Sequence, residues 1–240
     1  WNASGKYIVA MRSNFHNHMP APHEAADIIL LDTQNNYNVK KIDETRGWNF
    51  QQGTMMYWNP DAPETQFFFN DRDTETNQIY TVLFDIEKNK RVQEYKYPGM
   101  SLANSGVAQN GGSFLAINYG RLSRLRPVTG YPNALDQTEG VLEPEDDGIF
   151  IINVKTAKKR LLVSYKQLAQ LAQRHLFRKH KNGRHSALPP GNPENIETAD
   201  PRISEVAFYI NHTLWNRKDD CIYLYLRGRY GDQSIWIDMP

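Results

Sequence analysis

The 240 residues contain a single cysteine, Cys221, so no internal disulfide can hold the chain together. No apolar run approaches the ~20 residues that a membrane-crossing helix needs, and no signal-peptide pattern is visible at the start. A surplus of one charge is also lacking. Lys and Arg number 28 against 27 Asp and Glu, the net charge is +1 and the isoelectric point is near 8.0. No global field therefore draws the chain to nucleic acid or to a membrane surface, and neither is expected as a partner. The bacterial periplasm and the cytoplasm both remain compatible with this composition.

What the chain does have is a recurring phrase. Trp1-Asn2-Ala3-Ser4-Gly5-Lys6-Tyr7-Ile8 returns as Trp215-Asn216-Arg217-Lys218-Asp219-Asp220-Cys221-Ile222. A degraded copy runs from Val107 to Phe114, and a copy two residues longer starts at Trp58-Asn59-Pro60-Asp61. Each copy closes with a β-rich run and an acidic or Asn turn, as in Val82-Leu83-Phe84-Asp85 and Phe150-Ile151-Ile152-Asn153. Aromatics make up 12% of the chain and fall in short runs with Val and Ile, as stacked sheets require. A unit of strand, tight turn, strand, loop, strand, turn, strand at this period is a propeller blade.

The expected fold is therefore an all-β propeller with about four blades in this chain, over residues 1–47, 48–99, 100–163 and 207–240. The last interval between copies is about twice the others, so residues 164–206 read as an insertion. Ser164 can cap a helix in which Leu168, Leu171, Ala172, His175 and Leu176 share a face at helical spacing. The basic stretch 178–185 and the Pro-rich segment 189–193 then loop out. Trp1 opens directly in a repeat and Pro240 follows the last strand almost at once, so the chain is expected to be part of a larger ring, with the remaining blades as its partners.

In a blade, the loops between second and third strands open on the same face as the connections between blades. That face collects the unusual residues: His16, His18 and His23; Asn70-Asp71-Arg72-Asp73; Tyr119-Gly120-Arg121 through Arg124-Leu125-Arg126; and Arg227-Gly228-Arg229-Tyr230. The inter-blade connections add Trp48, Gln51 and Gln52, and Asn211-His212. One-sided polar enrichment is what a binding site on a rigid scaffold looks like. Each item also has a plain reading. His18 with His16 is either a metal pair or a surface pair. Arg121, Arg124 and Arg126 either recognise an anion through their planar forks or pair with Asp71, Asp73, Glu143 or Glu145. Gln51, Gln52 and His212 bind a ligand or satisfy backbone groups near the channel.

Gln51-Gln52-Gly53 entering a strand, the Arg-rich segment after Asn118 and the His212 strand entry resemble the oligogalacturonate lyase family and its TolB-type propeller relatives. Bacterial propeller proteins sharing Trp48-x-x-Gln51-Gln52-Gly53, Asn70-Asp71-Arg72 and Arg121-Leu122-x-Arg124-Leu125-Arg126-Pro127 are more similar still. The resemblance implies a seven-bladed ring, a uronate-bearing acidic oligosaccharide as ligand, and cleavage by β-elimination. It implies a divalent metal, manganese or calcium, with His212 as a ligand, and Arg121 or Arg124 as the base. Gln51, Gln52, Arg72 and Arg126 would then contact substrate, with Trp48, Tyr119 and Tyr131 as aromatic platforms for sugar rings. Neutralising the uronate carboxylate lowers the barrier to removing its neighbouring proton, so a cation and a base facing each other are the parts such a reaction needs. A sugar- or protein-binding propeller without chemistry would use the same face.

Overall fold

The computed structural model describes residues 1–181, 204–231 and 233–236. These form a β-propeller of four antiparallel sheets. Blade 1 holds β1 (Tyr7–Arg12), β2 (Ala26–Asp32) and β3 (Asn38–Thr45); blade 2 holds β4 (Tyr57–Trp58), β5 (Gln66–Arg72), β6 (Ile79–Asp85) and β7 (Lys90–Tyr95). Blade 3 holds β8 (Leu102–Val107), β9 (Ser113–Asn118), β10 (Gly148–Asn153) and β11 (Lys159–Ser164); blade 4 holds β12 (Ala207–Trp215), β13 (Ile222–Tyr230) and β14 (Gln233–Trp236). Strands pair in chain order within every sheet.

The repeated phrase folds the same way four times. The amide of the residue after Trp1, Trp58, Val107 or Trp215 donates across the turn to Tyr7, Gln66, Ser113 or Cys221 respectively, at 2.8–3.0 Å. Left-handed φ at Gly5, Gly111 and Asp219 closes three of these turns. Counted from the turn, β1 corresponds to β5, β9 and β13, so the described part of blade 1 begins with its second strand. The turns also touch along the lower face. The Asp219 carboxylate accepts the amides of Gln109 and Asn110 at 2.8 and 2.9 Å, and Glu64 accepts Asn2 Nδ2 at 2.6 Å.

Three apolar clusters fill the three gaps between neighbouring blades. In β5 the run Phe67-Phe68-Phe69 serves two of them, because successive strand side chains point to opposite faces. Phe67 and Phe69 pack with Ile28 of blade 1, and Phe68 packs with Leu102 and Phe114 of blade 3. All three are fully buried, each worth about 1.5–3 kcal/mol of hydrophobic stabilisation. The third cluster joins blades 3 and 4 and takes in two helices.

The first, α1 (Tyr119–Leu125), is a departure from the sequence reading, which has the Arg-rich segment as a loop. Asn118 caps it, its side chain accepting the Arg121 amide, and Tyr119, Leu122 and Leu125 anchor it in the core. The second, α2 (Tyr165–Lys181), starts at Ser164 with a reciprocal cap: Ser164 Oγ accepts the Gln167 amide and Gln167 Oε1 accepts the Ser164 amide. Its buried face is Tyr165, Leu168, Ala169 and Ala172. Leu171, expected on that face, is instead exposed, because the buried stripe follows the 165–168–169–172 spacing. The side chains of His175 and Leu176 lie outside the described residues, as do residues 182–203, which include much of the basic stretch and the Pro-rich segment.

Candidate functional site

The upper face is organised by the connection between blades 1 and 2. Trp48 is buried, its indole Nε1 donating to Glu24 O at 2.9 Å and its ring meeting Phe15 and Phe50 at 5.6 and 5.1 Å. Asn49 Nδ2 reaches blade 3, donating to Thr129 O and Gly130 O, while Asn49 Oδ1 accepts the amides of Gln51 and Gln52. Gln52 Nε2 reaches blade 4 and donates to Asn211 Oδ1 at 2.6 Å. Gln51 is exposed. Asn211 is buried on β12, and its Nδ2 has no hydrogen-bond partner among the described residues.

The long excursion between β9 and β10 covers the adjoining ground. Arg72 is buried, with Nε donating to Arg46 O and Nη2 to Pro132 O at 2.6 Å. Its burial lowers its pKa to about 10. Asn70 is the hub beneath: its Nδ2 donates to Asn104 O and Tyr131 Oη, and its Oδ1 accepts Thr81 Oγ1 and the Asn104 amide. Tyr119 and Tyr131 stack at 4.5 Å in the interior. Trp48, Tyr119 and Tyr131 thus give no open surface to a sugar ring; the platform role is corrected to packing.

Arg121 has no exposed surface. Its Nε donates to Phe208 O at 2.7 Å, Nη1 to Val141 O at 2.8 Å and Thr138 Oγ1 at 3.1 Å, and Nη2 to Leu142 O at 2.6 Å. The guanidinium also lies 4.5 Å from the centre of the Tyr165 ring. A side chain so enclosed touches no substrate, so its candidacy as base gives way to a tie between α1, the 138–142 segment, α2 and β12. Asp71 and Glu145, offered as partners for the arginines, pair with Arg91 and Lys166.

Arg124 is different. Its side chain is 31% exposed, and Nε donates to Asp136 Oδ2 at 2.7 Å. Burial pushes the Asp136 carboxyl up, but Thr138 and Arg124 more than offset this and leave it below the usual carboxylate range. Behind it, Asp147 accepts Asn118 Nδ2 at 2.8 Å and the Gly148 amide, and burial raises it to about 6. Arg126 caps the C-terminal end of α1, and Arg229 of β13 sends Nη1 to Leu125 O at 3.5 Å. Arg227 lies on the same strand; its pKa is lowered by burial and by the nearby charge of Arg126.

The expected metal site takes a different form at His18. Its ring stacks on Phe15 at 4.2 Å, Nε2 meets the Glu24 carboxylate at 3.0 Å and Nδ1 meets Asn17 Oδ1 at 3.0 Å. Both ring nitrogens are engaged, so His18 is corrected from metal ligand to loop brace. His212 lies in β12 at a register shift opposite β13, and its side chain lies outside the described residues. Among the described residues no three His, Cys, Asp or Glu side chains are placed to hold a metal ion, and no helix is long and apolar enough to cross a membrane. The residues that sequence reasoning missed are acceptors and hubs: Asn49, Asn70, Asp136, Thr138 and Asp147. Asp136 gave no pattern to find; Asn70 sat in a motif already noted.

No protein-family model matches this chain, and no curated protein matches it. Among solved structures it is similar to the β-propeller domain of the Trilobed protease from Pyrococcus furiosus, described as having an open velcro topology. The identity is 12%, the TM-score 0.41, and the match covers 98% of this chain and 54% of that one, so this chain spans about half the length of that relative.

Proposed function

We propose that the upper face binds an acidic, uronate-bearing oligosaccharide, with Arg124, Arg126 and Arg229 receiving its carboxylates. The observation that carries this reading is the placing of three partly exposed arginines from two blades at the C-terminal end of α1. Asp136 accepts Nε of Arg124 and so orients the fork, and among the described residues the two Nη groups are left for an incoming carboxylate. Gln51 is exposed on the same face and offers neutral hydrogen bonds to hydroxyls, with Gln52 beside it held to Asn211. The likeness to oligogalacturonate lyases suggests the substrate class. The finer reading, β-elimination with Arg124 as base and a manganese or calcium ion held through His212, adds chemistry to the same face.

Calorimetric titration with oligogalacturonates and with neutral oligosaccharides of equal length tests the binding. The acidic ligand is expected to bind and the neutral one to fail. Arg124→Lys keeps the charge but loses the fork, and should weaken binding by about 1–3 kcal/mol, the scale of a charge-assisted hydrogen bond. Equal affinity for acidic and neutral ligands, or an Arg124→Lys variant that binds like the parent, overturns the proposal. The same mixtures with added manganese or calcium, followed by ultraviolet absorbance of an unsaturated product, separate a lyase from a binding module.

A further inference from the structure

Blade 4 carries a sheet face whose counterparts in blades 2 and 3 are covered. Counting from the shared turn, Tyr223 occupies the position of Phe68 in blade 2 and Leu115 in blade 3. Tyr225 occupies that of Asn70 and Ile117. Phe68, Leu115 and Asn70 are 0% exposed and Ile117 is 2% exposed, because the following blade lies over them. Tyr223 and Tyr225 are 67% and 60% exposed, and Leu214 beside them on β12 is 53% exposed. The opposite face of the same strand, Ile222, Leu224 and Leu226, packs on blade 3 as its counterparts Phe67 and Phe69 pack on blade 1. So blade 4 keeps the register of the others, and among the described residues nothing covers its forward face.

The register extends to polar groups. Two positions beyond Tyr225 stands Arg227, the counterpart of Arg72. Arg72 grips the blade that follows it, donating Nη2 to Pro132 O in the upper loop of blade 3. The forward face of blade 4 therefore repeats both halves of an interface that the chain already makes: an apolar centre and an arginine at the upper end placed to meet a loop carbonyl.

We infer that the face formed by Leu214, Tyr223, Tyr225 and Arg227 is a docking surface for a further propeller blade of the same polypeptide, seated in the register of blade 3 on blade 2. The continuity of interface selects this occupant. The blade 2–3 and blade 3–4 junctions use the same strand positions, and a four-stranded sheet presenting large apolar residues at the positions of Phe67 and Phe69 completes the series.

Thiol protection tests it. Cys221 is the sole cysteine of residues 1–240, so Cys221→Ser with Tyr223→Cys gives one reporter there, read by mapping the labelled peptide, and Leu162→Cys in the same background gives an exposed control on β11. In the protein as its cell makes it, maleimide should label position 223 at least about a hundredfold more slowly than position 162, as expected for a site reached only by local opening. In a dilute preparation of residues 1–240, both positions should label at similar rates. Labelling of position 223 as fast as 162 in the cell-made protein overturns the inference. So does protection in the isolated chain that grows with its concentration alongside a dimer in sedimentation, since a second copy would then be the occupant. Tyr225→Cys repeats the measurement at an independent site, guarding against a local distortion at 223.

Discussion

Arg121→Met decides between a catalytic and a structural arginine. The substitution keeps most of the stem volume and removes four donated hydrogen bonds, to Phe208 O, Val141 O, Leu142 O and Thr138 Oγ1. A bond from a charged donor contributes about 1.5–3 kcal/mol, so the gross loss is roughly 6–12 kcal/mol. Against it stands the relief of keeping a cation in the interior, several kcal/mol per ion, which is also why burial lowers the Arg121 pKa. The net expectation is a loss of about 3–5 kcal/mol, the range for breaking a buried charged contact. For a chain of this size that lowers the melting temperature by about 2–4 °C per kcal/mol. Urea titrations followed by tryptophan fluorescence and circular dichroism measure it, with Arg12→Ala as a surface control. Arg12 pairs with Asp27 while 54% exposed, and its loss should cost less than about 1 kcal/mol. If Arg121→Met stays within about 1 kcal/mol of the parent, the guanidinium is not the tie described above.

Two further outcomes follow from the same region. Asp147 has a folded pKa of about 6 against 3.8 for the free group, so its ionisation opposes folding. Below about pH 4 the group is protonated in both states and costs nothing. As pH rises from 4 to 6 the unfolded chain ionises first, and stability falls by up to about 3 kcal/mol at 1.36 kcal/mol per unit. Denaturation across pH 4–6 should therefore show a slope that Asp147→Asn removes, and an identical slope in the variant would refute the assignment. Gly120 lies inside α1 against the chain at Leu135; a Cβ there would overlap Leu135 O. Gly120→Ala, normally helix-stabilising, should instead cost more than about 2 kcal/mol by forcing that segment away, and a gain in melting temperature would show the approach is looser than described.

The turn phrase was legible in the sequence because its demands are local: a side-chain acceptor after the first residue and a residue tolerant of left-handed φ three positions on. Asn2 with Gly5 and Asn216 with Asp219 carry both, and so the blade register could be read without coordinates. The gathering of unusual residues on one face was legible for the same reason, since strand order alone dictates which loops share a side. What those residues do there was not. Arg121 and Arg72 end on the carbonyls of Phe208, Val141, Leu142 and Pro132, groups that every residue type carries and that leave no trace in composition. An arginine bound for a backbone oxygen and one bound for a ligand look alike until the path of residues 126–142 is known. Helix α1 escaped because seven residues are too few for a periodic signal, though Asn118 before Leu122 and Leu125 was a cap in plain sight.

The reach of Asn49 and Gln52 changes how the molecule should come apart. An array whose units touch only their neighbours can lose an end unit while the rest stands, and its stability is close to a sum over units and junctions. Here one short connection between the first two blades holds the third through Thr129 and Gly130 and the fourth through Asn211. Damage to the last blade is thus felt at the first, with no need to pass through the two between. The upper side makes the four sheets a single cooperative unit, whereas the lower side, stitched turn to turn, would by itself let them peel away in sequence.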